Sequence, residues 1–388
     1  MLKRIHLILT AFVALSAVGT SHADDDIWRF GFYWSITAKN YPPNSVPWAK
    51  YTHISQIAIL PSANCEIDSK TYMAEQIQQD LVRTARRNSV KILITLLQDK
   101  ALTAIARCTD SDHLAAFADK IASYVTHNNY DGVDIDWEFG VVPGQYQNLV
   151  RELRRKLPHA ILTADIAVHQ RNFIAQVQDQ LDRVNLMNYD LHQTDYHGAP
   201  LRATWHQAAL KSTVDHRAFK SGQVNVEYLL SAKIAPSKIN FGVPFYGYAV
   251  TPCKDGHRNA PSCAETNLLP AQPIDPSVVS ITQVTYAQIV KYLATGGVEW
   301  DEARKASYIR FRAPQRPPCA ESFCKRDSFV TFSSPRAVSE AVDYLLATRL
   351  GGIMTFALHQ EFLSDQPGDD RYPLSSAIYS RLSSAGRL

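Results

Sequence analysis

Eight apolar runs of strand length, spaced by segments with helical periodicity, constrain this chain of 388 residues more than any other feature. The runs are Arg29 to Trp34, Thr52 to Leu60, Lys91 to Leu97, the acidic stretch Asp131 to Glu138, Ala160 to Val168, Arg183 to Tyr189, Ile239 to Tyr246 and Gly351 to Leu358. Between several of them apolar residues recur at three- and four-residue steps: Met73, Ile77, Leu81 and Ala85, then Leu114, Phe117, Ile121 and Tyr124, then Tyr146, Leu149, Leu153 and Leu157 behind Pro143. Parallel strands need a crossover between them and read as near-continuous apolar runs when covered on both faces, so this alternation predicts repeated β–α units in an α/β fold. Residues of about 251 to 330 break the rhythm, with four of the six cysteines, the Pro-rich run Pro314 to Pro318 and short mixed segments such as Val284-Thr285-Tyr286. We expect a small α+β subdomain there, inserted after the seventh strand. The main fold, residues 24–250 and 331–388, resumes at Ser334-Pro335, a good N-cap and first helical position for a face of Val338, Val342 and Leu345. Tyr372 to Leu382 reads as a closing helix.

The fourth run carries Asp134, Asp136 and Glu138 at every second residue, which points all three carboxylates to one side of an extended strand and Val133, Ile135 and Trp137 to the other. Helical patterns on both sides of the run imply that the strand is covered on both faces. Burying unpartnered carboxylates costs several kcal/mol, so the row implies a use. A solvent-facing acidic strand or a divalent-cation cluster is the competing reading, although calcium sites usually draw their oxygens from loops. Carboxylates this close cannot all ionise. One proton is shared, at least one pKa rises, and an acid able to donate near neutral pH results.

Residues 1–23 read as a secretory leader: Lys3 and Arg4, an apolar run from Leu7 to Val18, and Ser21-His22-Ala23 as a small-x-small cleavage site. A membrane anchor competes with this reading, but the run is short and no other stretch is long enough to span a bilayer. The expected product is an exported protein, secreted or periplasmic, with no membrane association after cleavage. Loss of Lys3 and Arg4 takes the formal charge from +3 to +1, which argues against a nucleic-acid partner. Six cysteines in an exported chain favour disulfides. Proximity suggests Cys253 with Cys263 and Cys319 with Cys324, leaving Cys65 with Cys108; the alternative is that some stay reduced and buried. His53, His169 and His192 have no partners at metal-binding spacing, so neither a metal nor any other cofactor is expected.

Asp131-x-x-Asp134-x-Asp136-x-Glu138 resembles the signature of the family 18 glycoside hydrolases, the chitinases and their relatives. Met187-Asn188-Tyr189-Asp190, Gly242-Val243-Pro244-Phe245-Tyr246-Gly247 and Gly351-Gly352-Ile353-Met354 are similar, in order and spacing, to that family's sixth, seventh and eighth strand segments. The resemblance implies a (β/α)8 TIM barrel with the insertion after strand seven and the active site at the carboxyl ends of the strands. Four segments depart from the family pattern. Thr95-Leu96-Leu97-Gln98 stands where Ser-x-Gly-Gly is usual, so Leu97 and Gln98 are expected to narrow or reshape the cleft. Phe356 stands for the usual Trp of the eighth strand, Phe139-Gly140 for Tyr-Pro, and Tyr248 for an Arg.

The resemblance further implies substrate-assisted hydrolysis with retention, in which the substrate's own 2-acetamido oxygen attacks the anomeric carbon. Glu138 would then be general acid and base, Asp136 would accept the acetamido N–H and offset the developing positive charge, and Asp134 would hold the shared proton behind it. Tyr189 would donate to the acetamido oxygen. Asp190 would contact the sugar or Glu138, Tyr246 would line the site, and Met187, Phe356, Tyr33 and Trp137 complete the expected substrate contacts, with Trp34 a further stacking candidate. The expected partner is a polysaccharide or oligosaccharide containing N-acetylglucosamine, chitin first, with peptidoglycan and N-glycan cores as alternatives. A carbohydrate-binding lectin on the same barrel and a protein-interaction role are the rival readings. No oligomeric state is assigned.

Overall fold

The computed structural model describes residues 27–72, 74–99, 101, 103–194, 198, 201–212, 219–251, 269–274, 279–291, 293, 297–311 and 327–388. Among the described residues fourteen strands fall into two sheets. Eight of them are parallel and close on themselves: β1 (Trp28–Trp34), β2 (His53–Pro61), β4 (Lys91–Leu97), β5 (Gly132–Asp136), β6 (Ile161–Ile166), β7 (Arg183–Leu186), β8 (Ile239–Pro244) and β14 (Gly352–Phe356). The ring shuts where β1 pairs with β2 on one side and β14 on the other. The result is the (β/α)8 barrel expected from the sequence. A short β3 (Ile67–Asp68) pairs antiparallel with β2 outside the ring.

The crossover helices bury most of the stripes their periodicity marks out, with Ile77, Leu114, Tyr124 and Leu157 half-buried and Met73 outside the described residues. In helix Glu75–Arg87 the buried residues include Leu81, Val82 and Ala85, and in Leu114–His127 they are Phe117, Ala118, Ile121 and Val125. Helix Pro143–Lys156 opens on its proline and buries Tyr146, Leu149, Val150 and Leu153. Helix Pro335–Thr348 is capped by Ser334, whose Oγ accepts from the Ala337 N–H at 3.2 Å. The main core therefore lies between strands and helices, while a second apolar cluster built on Phe30, Phe32, Leu93 and Met354 fills the barrel interior. Gly132 shows how tightly β5 and β6 approach: a Cβ there would lie 1.9 Å from the Ile161 carbonyl oxygen.

The second sheet is antiparallel, ordered β10 (Ser280–Thr285), β9 (Tyr246–Thr251), β13 (Ser328–Phe332), β12 (Ala306–Phe311) and β11 (Glu299–Asp301). It leaves the barrel directly after β8 and returns into helix Pro335–Thr348. Its flanking strands β9 and β13 lie partly outside the 251–330 stretch that composition marks off, because they are as apolar as barrel strands and pair with each other. Cys65 and Cys108 are joined in a disulfide; the other expected pairs, Cys253–Cys263 and Cys319–Cys324, lie outside the described residues, as does the leader. Among the described residues no helix is long and apolar enough to cross a membrane.

Candidate active site

Alternation along β5 turns Asp134 and Asp136 into the barrel, and Glu138 follows at its carboxyl end. Asp134 is fully buried and Glu138 half-buried. Asp134 is the hub of a polar layer in an otherwise apolar interior. Its Oδ1 accepts from the Thr163 hydroxyl on β6 and, at 3.2 Å, from Asn185 Nδ2 on β7, while its Oδ2 accepts from the Thr95 hydroxyl on β4 at 3.4 Å. The chain continues from Thr95 to Ser55 on β2 at 2.7 Å and from Asn185 to Asn240 on β8 at 2.8 Å. Six of the eight strands thus contribute to one hydrogen-bonded layer beneath the acid row.

Burial raises the pKa of Glu138, opposed by its interaction with Asp136 and reinforced by the Asp190 charge. Burial pushes Asp136 well above the usual carboxylate range, reinforced by the charges of Glu138 and Asp134. Burial also pushes Asp134 up to about 6, against the hydrogen bonds that draw it down. These are the expected consequences of three like charges in one apolar enclosure. The Oδ1 of Asp136 has no hydrogen-bond partner among the described residues.

Facing the row, Tyr189 and Asp190 follow β7. The Asp190 backbone takes φ +58°, a left-handed conformation that Asp tolerates better than most residues, and its Oδ1 accepts from the Tyr246 hydroxyl at 2.9 Å. Burial raises the Asp190 pKa, opposed by the Tyr246 and Tyr248 hydroxyls, the latter at the position where the resemblance leads one to expect Arg. Phe356 at the end of β14 sits among four rings, with centroids 5.5 Å from Phe32, 6.4 Å from Trp34, 6.0 Å from Tyr189 and 6.4 Å from Tyr246. Met187 packs half-buried in the same cluster.

Two expected contacts are corrected. Tyr33 is fully buried, donates its hydroxyl to the Tyr41 carbonyl at 2.8 Å, and belongs to the core between barrel and helices. Trp137 is fully buried on the outer face of β5, its Nε1 donating to the Phe139 carbonyl at 3.0 Å and its ring stacked on Tyr146 at 5.9 Å. Neither ring can lie against a sugar. The period-two argument itself places Trp137 opposite the carboxylates, so its outward packing was readable. Trp34 remains half-buried beside Phe356.

The altered third strand takes an arrangement that its sequence did not suggest. Gln98 Oε1 accepts the backbone N–H groups of both Glu138 and Phe139, at 3.1 and 2.9 Å, and Gln170 Nε2 donates to the Trp137 carbonyl at 2.9 Å. Two glutamines therefore clamp the backbone that carries Glu138. Leu97 joins the interior apolar cluster. The reading of sequence also missed Asp165, buried on β6 directly across from Asp136. Its signal was present: Thr163 and Asp165 alternate in an otherwise apolar run, as the acid row does. Among the described residues no group of three or more His, Cys, Asp or Glu is placed to hold a metal ion.

The chain matches the family described as Glycosyl hydrolases family 18 over residues 27–361. It is 25% identical over 257 residues to a probable chitinase 2 of Drosophila melanogaster, covering 62% of this chain and 50% of that one. The chain spans about half the length of the curated relatives it matches most strongly. Among solved structures it resembles a group IV chitinase of Ostrinia furnacalis in complex with allosamidin, with a TM-score of 0.74 at 19% identity over 94% of this chain and 100% of that one. A chitinase-like agglutinin of Robinia pseudoacacia shares the fold at a TM-score of 0.69 and 20% identity, over 91% of this chain and 98% of that one. With the motif, the barrel and a match across most of its length, the chain belongs to family 18 of the glycosyl hydrolases.

Proposed function

We propose that this protein is an exported hydrolase that cleaves β-1,4 bonds next to N-acetylglucosamine, in chitin or chito-oligosaccharides, by the substrate-assisted retaining route. The observation that carries the reading is the acid row at the mouth of the barrel, where Asp136 lies buried between Asp134 and Glu138 with its Oδ1 unpartnered among the described residues, and where carboxyls this close share a proton. Passage of that proton to Glu138 makes Glu138 the acid and Asp136 an anion. Glu138 then protonates the glycosidic oxygen as the C1–O bond breaks and the acetamido oxygen closes on C1. Asp136 accepts the acetamido N–H and offsets the positive charge of the ring that forms. Tyr189 donates to the acetamido oxygen, and water, deprotonated by Glu138, opens the intermediate with retention. Such fixed donors and acceptors act by electrostatic preorganisation. Phe356 and its surrounding rings would form the sugar's floor.

Relatives whose structures hold allosamidin or N-acetylglucosamine oligomers support this substrate class. The Cys65–Cys108 disulfide is consistent with export through an oxidising compartment. Binding without cleavage is the second reading, favoured by the aromatic nest around Phe356 and by the agglutinin that shares the fold. A panel of N-acetylglucosamine polymers, peptidoglycan and N-glycan cores, assayed with the purified chain, tests both. Hydrolysis by the wild type with a loss of roughly 10²- to 10⁴-fold in Glu138→Gln and retained binding supports the enzyme. Tight binding of chito-oligosaccharide with no cleavage by the wild type would leave the lectin.

A further inference from the structure

Asp190 and Tyr246 meet at the barrel mouth, yet both lie beyond Leu186 and Phe241, the last residues at which β7 and β8 pair, so the barrel ladder does not set their separation. Another residue joins them. Gln207 is fully buried between the two, in the segment that follows β7. Its carbonyl accepts from the N–H of Leu191, the neighbour of Asp190, at 3.0 Å, and its Nε2 donates to the Tyr246 carbonyl. The Tyr246 hydroxyl closes the circuit on Asp190 Oδ1 at 2.9 Å. Asp190 sits at φ +58°, a sparsely populated conformation that persists only where the surroundings hold it. Tyr246 is the junction at which the chain leaves the barrel: the Phe245 N–H is fixed on the Phe356 carbonyl at 2.7 Å, and the next residue opens β9.

We propose that Gln207 is a positioning residue of the candidate sugar site: it ties the backbone behind Asp190 to the Tyr246 carbonyl and so fixes the Tyr246 hydroxyl on Asp190. The inference rests on the hydrolase reading above for what that pair does in catalysis. The segment around Gln207 is held without its side-chain amide. The Gln207 N–H donates to Thr331 Oγ1 on β13 at 2.9 Å, His206 Nε2 meets Asp301 Oδ2 on β11 at 3.0 Å, and the N–H groups of Leu210 and Lys211 both donate to the Arg304 carbonyl at 3.1 Å. Loss of the amide therefore releases Tyr246 while the segment stays on the second sheet. The same contacts explain why the insertion matters to the site. β9 and β13 pair with each other, so Gln207 holds both Tyr246 on β9 and, through Thr331, its sheet neighbour against the stretch that carries Asp190.

Gln207→Met keeps the length of the side chain without its donor. In the full chain it should lose roughly 10-fold in kcat/KM on a chito-oligosaccharide, and nothing further when added to Tyr246→Phe, which lacks the hydroxyl being positioned. Additive losses would mean a general loosening and overturn the proposal. Gln207→Glu is isosteric and donates to the Tyr246 carbonyl only while protonated, and burial raises the pKa of such a carboxyl. Its rate relative to the wild type should therefore recover as pH falls, whereas the ratio for Gln207→Met stays flat; a flat ratio for both overturns the proposal. A crystal structure of either variant, the glutamate one at neutral pH, is a readout that needs no substrate. A Tyr246 hydroxyl more than about 3.2 Å from Asp190 upholds the positioning role even if the wild type cleaves no N-acetylglucosamine polymer. A contact kept at 2.9 Å overturns it even if the wild type does.

Discussion

Glu138 is held by its backbone and not by its side chain. Its carboxyl meets Asp136, while Gln98 fastens the N–H groups of residues 138 and 139 and Gln170 the preceding carbonyl. An acid displaced by about 1 Å can lose on the order of 10²-fold in rate. Gln98→Ala should accordingly lower kcat by about 10- to 100-fold with little change in KM, checked by steady-state kinetics on a fluorogenic N-acetylglucosamine oligomer. Tyr189→Phe removes one donor from the expected acetamide site while leaving its contacts with Phe356 and Tyr246. A loss of about 10²- to 10³-fold in kcat with an unchanged melting temperature is the expected outcome, from the effect of removing a single preorganised donor. At this scale the carboxylates were legible because a two-residue period has one meaning in a strand. Asp165, alternating with Thr163, carried the same two-residue signal, whereas Gln98 did not, since a lone polar side chain in an apolar run does not say which neighbour it will meet.

Among the elements, the connection from β14 to the closing helix Pro373–Ser384 carries a buried acid outside the site. Glu361 accepts from the N–H groups of Leu374 and Ser375 at 2.7 and 3.0 Å and from the Ser375 hydroxyl, at a helix N-terminus where negative charge is favoured. Burial nevertheless pushes its pKa to about 7. An unfolded Glu titrates near about 4.3, so between these values the folded state binds a proton that the unfolded chain does not. This contribution to stability is complete below the unfolded value and is lost as pH rises through about 7. The slope for one proton is about 1.4 kcal/mol per pH unit. Glu361→Gln should remove that part of the dependence, read as a shallower fall of melting temperature between about pH 4.5 and 7 than in the wild type. The raised carboxyls of the active site act in the same direction in both proteins, so the difference between the two curves isolates Glu361.

For the whole molecule, the barrel is closed by pairing between β1 and β14, more than three hundred residues apart in sequence, and is braced on one flank by the Cys65–Cys108 link. That bond joins residues 43 apart, and the chain-entropy relation gives about 4 kcal/mol for a loop of this size. Replacing both cysteines by serine should therefore cost roughly 2–4 kcal/mol in urea unfolding. The alternation of strand and helix, the helix faces, the acid row and the family were all set by the sequence alone, because backbone periodicity and side-chain spacing are local properties. Tertiary structure decided which polar residues of six strands meet beneath Asp134, that Gln98 turns onto the Glu138 backbone, and that Tyr33 and Trp137 face away from the cleft. Those outcomes depend on the closure and tilt of the barrel, which bring together side chains from strands that no local pattern relates.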